Sequence, residues 1–236
     1  MSAIPLALIG MGRMGRALAE LAPQRGFEVV ARIGHAEPIT RESLGGAAVA
    51  IEFTVPAAAA ANVLACAAVG CPVVVGTTGW YDQLSVVRAE VGRAGAGLLY
   101  APNFSLGVAI FDRVVAEAAR LFAGAPGFDA HLVETHHVAK KDAPSGTAAA
   151  LARTAEVASG KPLPITSVRV GAVPGTHELV FDAPFEQVRL VHEARDRRVF
   201  AEGALAAARW LIGRRGVFTM QDVLPTPAPT SHSQQR

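Results

Sequence analysis

Short apolar runs alternate with stretches of helical periodicity over the first hundred residues. The apolar runs predict strands at residues 6–9, 27–33, 48–54, 72–75 and 97–100. The stretches between them predict helices at residues 13–21, 57–68 and 81–93. Strands that alternate with helices form a parallel sheet covered on both faces, so this part of the chain is predicted to have an α/β fold.

The pattern changes after Asn103. Helices are predicted at residues 108–122, 146–158 and 204–212, and strand-like segments at residues 130–138, 168–173, 178–181 and 188–194. Turn signals between the later strands indicate an α+β unit with a mixed or antiparallel sheet. We expect the last helix to return to the first unit. The segment 223–236, rich in Pro, Thr, Ser and Gln, is expected to be a frayed tail.

A glycine-rich turn follows the first strand and opens the first helix. Gly10, Gly12 and Gly15 form the pattern G-x-G-x-x-G. In such a turn the first glycine permits the tight bend, the second lets a pyrophosphate approach, and the third lets helix and strand pack closely. The context favours dinucleotide binding at the start of the helix. A tight turn without a ligand stays an alternative.

In dinucleotide-binding sheets an acidic residue about 20 positions after the glycine motif binds a ribose 2′-hydroxyl, and the second strand lacks that residue. Arg32 stands near that place, and an arginine there suits a 2′-phosphate. This favours NADPH, although Arg32 can also be a solvent-facing residue, and Arg13 and Arg16 could serve instead. The expected cofactor is therefore NADPH or NADH.

Two later segments stand at strand ends of the same predicted sheet, at residues 76–80 and 101–105. Ligands of open parallel sheets bind beyond the carboxyl ends of the strands, so these segments could line the nicotinamide and its ribose. In isolation, each of them indicates only a turn.

Residues 134–147 contain the side chains best suited to bind an anion and to transfer a proton. Ser145 precedes a predicted helix whose free N–H groups form an anion site, and Lys140 or a histidine adds positive charge, which suits a small dicarboxylate. Reduction also needs a proton donor, a role suited to His136 or His137, with lysine as a second donor. In a regular strand the two histidines point to opposite faces, so at most one can enter the site unless the strand ends or bulges there. The alternative is a polar surface loop.

Composition and charge limit the classes of function. Hydrophobic residues make up 51% of the 236 residues and charged residues 18%, which excludes global disorder. No apolar run approaches the roughly 18 residues of a membrane helix. The net charge of +2 does not imply a nucleic-acid or membrane partner. The first residues do not resemble a signal peptide, and Cys66 and Cys71 are expected to be buried, reduced thiols of a cytoplasmic protein without a zinc site.

The glycine turn is common by itself, but the combination of these motifs is specific enough to indicate a family. The segments 12–16, 76–79, 103–108 and 134–148, with 175–177 and 194–204, resemble the 4-hydroxy-tetrahydrodipicolinate reductase family of bacterial lysine and diaminopimelate biosynthesis. The resemblance extends to about Leu224. It implies reduction of (2S,4S)-4-hydroxy-tetrahydrodipicolinate to tetrahydrodipicolinate, with loss of water and a hydride from NADPH or NADH.

The resemblance also implies an architecture. A Rossmann-type dinucleotide-binding domain would comprise residues 1–106 and 204–236. An inserted α+β domain, residues 107–203, would bind the substrate and join four chains through its mixed sheet in a homotetramer.

Roles for individual residues follow from the same resemblance. His136 would donate or accept the proton, and Lys140 would be a second donor. The substrate would contact His137, Ser145, Gly146 and Thr147. The cofactor would lie against Gly10, Met11, Gly12, Arg13, Met14, Gly76, Thr77, Thr78, Ala101, Pro102, Asn103 and Phe104. The alternatives are another two-domain NAD(P)-dependent oxidoreductase, such as an amino-acid dehydrogenase, and a non-catalytic dinucleotide-sensing regulator.

Overall fold

The computed structural model describes residues 2–34 and 37–225. Its helices are α1 Arg13–Leu21, α2 Pro56–Ala68, α3 Leu84–Arg93, α4 Leu106–Ala123, α5 Gly146–Ser159, α6 Arg198–Leu211 and α7 Met220–Val223. Its strands are β1 Ile4–Ile9, β2 Phe27–Ile33, β3 Val49–Glu52, β4 Val73–Val75, β5 Gly97–Tyr100, β6 Asp129–His136, β7 Ile165–Arg169, β8 Thr176–Ala183, β9 Glu186–Glu193 and β10 Gly216–Phe218.

Six strands form a parallel sheet in the order β10-β5-β4-β3-β1-β2. Its strands are apolar on both sides because helices cover both faces. Helices α1 and α6 pack on one face, and α2 and α3 pack on the other. The predicted α/β architecture is confirmed. All six strands end at one edge, where the loops of the candidate site begin.

Four strands form a second, mixed sheet in the order β7-β6-β8-β9. Strand β6 pairs with β7 in parallel and with β8 antiparallel, and β8 pairs with β9 antiparallel. One face is apolar over much of its length, with Leu132, Leu179 and Phe181 buried against α4 and α5. The opposite face exposes Val168 and Val191. The predicted mixed sheet is thus present.

Several boundaries differ from the sequence prediction. Strand β7 begins three residues before the predicted segment 168–173, and α6 begins at Arg198, six residues before its predicted start. The short β10 and α7 were not predicted, and α7 reaches Val223, where the tail was expected to begin. Residues 226–236 of that tail lie outside the described residues. As expected, α6 returns to pack on the parallel sheet.

Within residues 2–34 and 37–225, no helix is both long and apolar enough to cross a membrane.

Candidate active site

The glycine turn after β1 leaves two of its three glycines no room for a side chain. Gly10 has a φ of +93°, and a Cβ on it would lie 2.1 Å from the Phe53 carbonyl oxygen. A Cβ on Gly15 would lie 2.1 Å from the carbonyl oxygen of Gly10. The structure therefore gives Gly10 the tight bend, and Gly15 the close packing of helix on strand, that the motif predicts.

Gly12, in contrast, faces an open crevice at the start of α1. Among the described residues, nothing lies within 4 Å of a Cβ built on Gly12, and no side chain caps the helix. The N–H groups of the first turn, which include Arg13 and Met14, thus face open space without a capping acceptor. Met11 and Met14 pack against the core beside them. The crevice, of about 520 Å³, fits the phosphates of a dinucleotide and is lined by Ile9, Gly12, Ile33, Gly34, Glu37, Phe53, Thr54, Val55, Ala58 and Asn62.

Buried polar groups tie the loop after β4 to the loop after β3. The Thr77 hydroxyl accepts a hydrogen bond from the Thr54 N–H at 2.7 Å. Glu52, at the end of β3, accepts hydrogen bonds from the Thr54 hydroxyl and from the Asn62 amide. Burial raises the pKa of Glu52, whose side chain is fully enclosed. Sequence reasoning missed Glu52 because it ends an apolar run, and only its place at a carboxyl strand end could have indicated it.

Aromatic packing supports the same loops. The rings of Phe53 and Phe104 meet edge to face, with centroids 5.8 Å apart. A Cβ on Gly76 would lie 1.9 Å from the Phe53 ring. Gly76 and the buried Phe104 therefore support the loops from beneath, whereas Thr78 and Pro102 are exposed at the surface of the loops.

A second cleft brings the predicted cofactor loops and the predicted substrate segment together. Its volume is about 630 Å³, and its lining includes Thr78, Ala101, Pro102, Asn103, Lys140, Gly146 and Thr147. The Asn103 amide donates a hydrogen bond to the Thr147 hydroxyl at 3.0 Å, across 44 positions of sequence. Residues assigned to two different ligands therefore line one cleft.

The beginning of α5 and the preceding loop form a carboxylate-binding corner of this cleft. The buried Ser145 hydroxyl caps α5 by accepting a hydrogen bond from the Ala148 N–H at 3.1 Å. The Lys140 ammonium donates to both oxygens of Asp142, at 2.8 and 3.0 Å. Hydrogen bonds from Lys140 and from the Gly146 backbone lower the pKa of Asp142. The groups predicted to hold a substrate carboxylate thus already hold a carboxylate of the protein.

His136 ends β6 with its imidazole held by a buried carboxylate. Glu134 accepts hydrogen bonds from Nδ1 of His136, from the Arg169 guanidinium at 2.7 Å and from the Ser145 N–H at 3.2 Å. Burial raises the pKa of Glu134, but the hydrogen bonds from Arg169, Ser167 and His136 outweigh it and lower the pKa to about 2. The ionised Glu134 keeps a proton on Nδ1 and leaves Nε2 as the nitrogen that exchanges protons.

Models of one protein family match both halves of the chain. The N-terminal part of dihydrodipicolinate reductase matches residues 4–104, and its C-terminal part matches residues 107–224. The chain belongs to the dihydrodipicolinate reductase family. The family that the motifs resemble is thereby confirmed.

Individual relatives of the same family match nearly the whole chain. The 4-hydroxy-tetrahydrodipicolinate reductase of Christiangramia forsetii is 35% identical over 93% of this chain and 97% of its own. That of Xanthomonas euvesicatoria is 38% identical over 94% of this chain and 98% of its own. A solved dipicolinate-bound dihydrodipicolinate reductase from Paenisporosarcina sp. TG-14 has a TM-score of 0.80 at 23% identity, covering 94% of this chain and all of that one. This structural likeness shows that the two proteins share the fold, a Rossmann-type sheet with a separate mixed sheet.

In this member of the dihydrodipicolinate reductase family, β6 ends at His136. His137 lies outside the strand, so its side chain need not point to the face opposite His136. The His137 N–H donates to the Val173 carbonyl at 2.8 Å, and its Nε2 lies 2.9 Å from the Arg197 guanidinium. His136 thus bonds to a carboxylate on its own strand, whereas His137 meets polar partners beyond the strand end. Sequence reasoning assigned no role to Arg197, which stands 60 positions from His137.

Three histidines of this family member lie side by side on the inner face of the mixed sheet. Ring centroids are 5.4 Å apart for His136 and His177 and 6.4 Å apart for His177 and His192. Burial, with His136 and His192 nearby, lowers the pKa of His177 to about 4. His177 is therefore neutral near pH 7. Sequence reasoning assigned it no chemical role because strand pairing, not sequence position, brings these rings together.

The arginines considered for cofactor selection lie at the surface. Arg32 is exposed on β2 in register with Leu8, and it is not among the residues that line the crevice beside Gly12 in the described part of the chain. Arg13 is exposed at the first position of α1. Binding of a 2′-phosphate by Arg32 stays a prediction.

Proposed function

We propose that the protein catalyses the NAD(P)H-dependent reduction of (2S,4S)-4-hydroxy-2,3,4,5-tetrahydrodipicolinate to (S)-2,3,4,5-tetrahydrodipicolinate, with loss of water, in lysine and diaminopimelate biosynthesis. The contact between Asn103 and Thr147 carries this proposal, because it joins the loop predicted to hold nicotinamide to the helix predicted to hold a carboxylate. The names of the relatives support the same reaction. They favour it over an amino-acid dehydrogenase or a dinucleotide sensor.

The cofactor would extend from the glycine turn to the cleft beside Asn103. The open backbone at Gly12 and the first turn of α1 would bind the pyrophosphate. Thr78 and the 101–103 loop would lie beside the nicotinamide, which supplies a hydride when bound.

The substrate would present two carboxylates to this cleft. Lys140 and the N–H groups of Gly146 and Thr147 would hold one of them, displacing the carboxylate of Asp142 that Lys140 and Gly146 hold now. Arg197 beside His137 supplies a further cation for the other. Ser145 contributes chiefly by capping α5, since its hydroxyl is already engaged.

Proton transfer would take place at Nε2 of His136 and at the Lys140 ammonium. Loss of water takes a proton to the departing hydroxyl group and releases one from the adjacent ring carbon, so it needs no net proton. Reduction of the ring then adds a hydride and one proton. Glu134 supports the positive charge that His136 carries before it donates. Lys140 lines the cleft and provides a second proton.

The proposed assembly follows the family. Residues 1–106 and 204–236 would form the dinucleotide-binding domain, and residues 107–203 the substrate-binding domain. The exposed valines on the outer face of the mixed sheet support burial of that face in a homotetramer. The free, buried Cys66 and Cys71 fit a cytoplasmic location.

A coupled assay with dihydrodipicolinate synthase tests the function. Loss of nicotinamide absorbance should require the synthase product, with NADPH or NADH as the reductant. His136→Gln should lower kcat by a hundredfold or more and leave cofactor affinity nearly unchanged. Cofactor binding without substrate-dependent oxidation would favour a sensor and refute the proposal. Equal losses of turnover and cofactor affinity would give His136 a structural role.

A further inference from the structure

The loop after β2 supplies the acidic group that the second strand lacks. Strand β2 ends at Ile33, so Gly34 stands near the place where a ribose-binding acid follows the strand in dinucleotide-binding sheets. A Cβ on Gly34 would lie 3.0 Å from Oε1 of Glu37. The Glu37 carboxylate therefore occupies the space that a side chain at position 34 would fill.

Glu37 shares its surroundings with the phosphate-binding turn. Gly12, Gly34 and Glu37 line the same crevice, at the carboxyl ends of β1 and β2. The adenosine ribose of a dinucleotide follows directly on the pyrophosphate, so a dinucleotide held at Gly12 brings its ribose to this wall. The Glu37 side chain is exposed and thus accessible to a ligand in the crevice.

We propose that Glu37 accepts hydrogen bonds from the adenosine ribose hydroxyls and makes the enzyme prefer NADH to NADPH. This inference rests on the proposed use of a nicotinamide dinucleotide. A carboxylate accepts hydrogen bonds from hydroxyl groups, whereas a 2′-phosphate brings negative charge against it and offers no hydroxyl at that position. Arg32, the residue that favoured NADPH in the sequence, lies outside the described lining of the crevice.

Isothermal titration calorimetry with ADP-ribose and 2′-phospho-ADP-ribose tests the proposal without the nicotinamide or the substrate. The wild-type protein should bind ADP-ribose about tenfold or more tightly than the 2′-phosphorylated form, the size expected for hydrogen bonds to a charged group. Glu37→Gln should bring this ratio close to one. Glu28→Gln is the matched control, since Glu28 is an exposed acid near the other end of β2, and it should keep the wild-type ratio.

Three results would overturn the role of Glu37. They are tighter binding of the 2′-phosphorylated form by the wild type, an unchanged ratio in Glu37→Gln, and binding of neither compound. A ratio that changes in Arg32→Ala and not in Glu37→Gln would assign selectivity to Arg32. If the expected ratios appear but the coupled assay shows no turnover, the reductase proposal fails and the role of Glu37 stands.

Discussion

Glu134 and His136 stand two positions apart on β6, so strand alternation turns both side chains to one face. Burial lowers the pKa of His136, and the hydrogen bond to Glu134 opposes that change. Arg169 on β7 pairs with the same carboxylate and offsets its charge inside the protein. The carboxylate can thus orient the imidazole and stabilise its protonated form, which a proton donor needs.

Replacement of Glu134 by Gln should lower kcat by about ten- to a hundredfold, with a much smaller effect on KM. An amide stabilises imidazolium less than a carboxylate, so the pKa of His136 should fall. The decline of activity on the alkaline side should then move to lower pH. Profiles of kcat/KM against pH for wild type and variant measure this shift.

The control for this variant is Glu117→Gln, which removes an exposed carboxylate paired with Arg120 on α4. It should retain the wild-type profile. Because Glu134→Gln leaves Arg169 without its charged partner, circular dichroism should accompany the kinetics. A folded variant whose pH profile does not move would show that Glu134 does not act through His136.

At this scale the sequence indicates residues whose type carries the chemistry. The residue types of the 134–147 motif left His136 and His137 open as the proton donor, and the family resemblance selected His136, with Lys140 as a second donor. The spacing of two positions places Glu134 beside His136 on a strand, a signal that the sequence prediction did not use. Arg197 could not be assigned from spacing, because its partner His137 stands 60 positions away.

At the scale of elements, α6 determines the position of the loop after β5. The carbonyl of Phe104 approaches the helix so closely that a Cβ on Gly203 would lie 1.6 Å from its oxygen. Gly203 is buried on the side of α6 that packs on the parallel sheet. The helix therefore supports residues 101–104, which we propose to lie beside the cofactor.

Gly203→Ala should lower the free energy of unfolding by about 1–3 kcal/mol, because the added methyl group forces the backbone of the loop away. It should also weaken NADH binding. The matched control is Gly92→Ala on α3, where an added Cβ meets no described atom within 4 Å. That variant should gain up to about 1 kcal/mol from helix propensity. Urea unfolding measures both, and equal effects of the two substitutions would contradict the contact.

Long elements could be predicted because their periodicity is local. The predicted bounds of α1, 13–21, and β2, 27–33, coincide with those in the structure. The three residues of β10 carry too little pattern to predict, and they form a strand because Gly216–Phe218 pair with Gly97–Leu99. Similarly, β7 is set by its register with Leu132–His136 of β6, not by its own apolar run.

At the scale of the whole molecule, the outer face of the mixed sheet suits contact between copies of the chain. Val191, Glu178 and Val133 lie in one cross-strand row, and both Val191 and Val168 are exposed. Val191→Glu would place a second carboxylate opposite Glu178 on that face. Light scattering should report four chains for the wild type and fewer for the variant. A wild-type monomer would refute the proposed tetramer.

Two buried groups on the inner face link the stability of the fold to pH in the same direction. The pKa of His177 is lowered from 6.5 to about 4 in the folded protein. Between about pH 6.5 and 4 the unfolded chain therefore binds a proton at this residue that the folded chain does not bind, which destabilises the fold as the pH falls. Glu134 has its pKa lowered from 4.5 to about 2, so it stabilises the fold above about pH 4.5 and loses that effect as the pH falls towards 2. Acidification should therefore destabilise the protein in two successive windows.

The upper window isolates His177. Between pH 6.5 and 4 the free energy of unfolding should fall by about 3 kcal/mol on account of this residue, the equivalent of its change in pKa. Urea unfolding at fixed protein concentration, repeated at half-unit steps of pH, measures the slope. His177→Gln should flatten it, while the difference between the two proteins at pH 8, where the histidine is neutral in both states, reports lost packing alone. If the variant keeps the full wild-type slope, the acid sensitivity comes from other groups, such as His136 and His192, whose pKa values are also lowered.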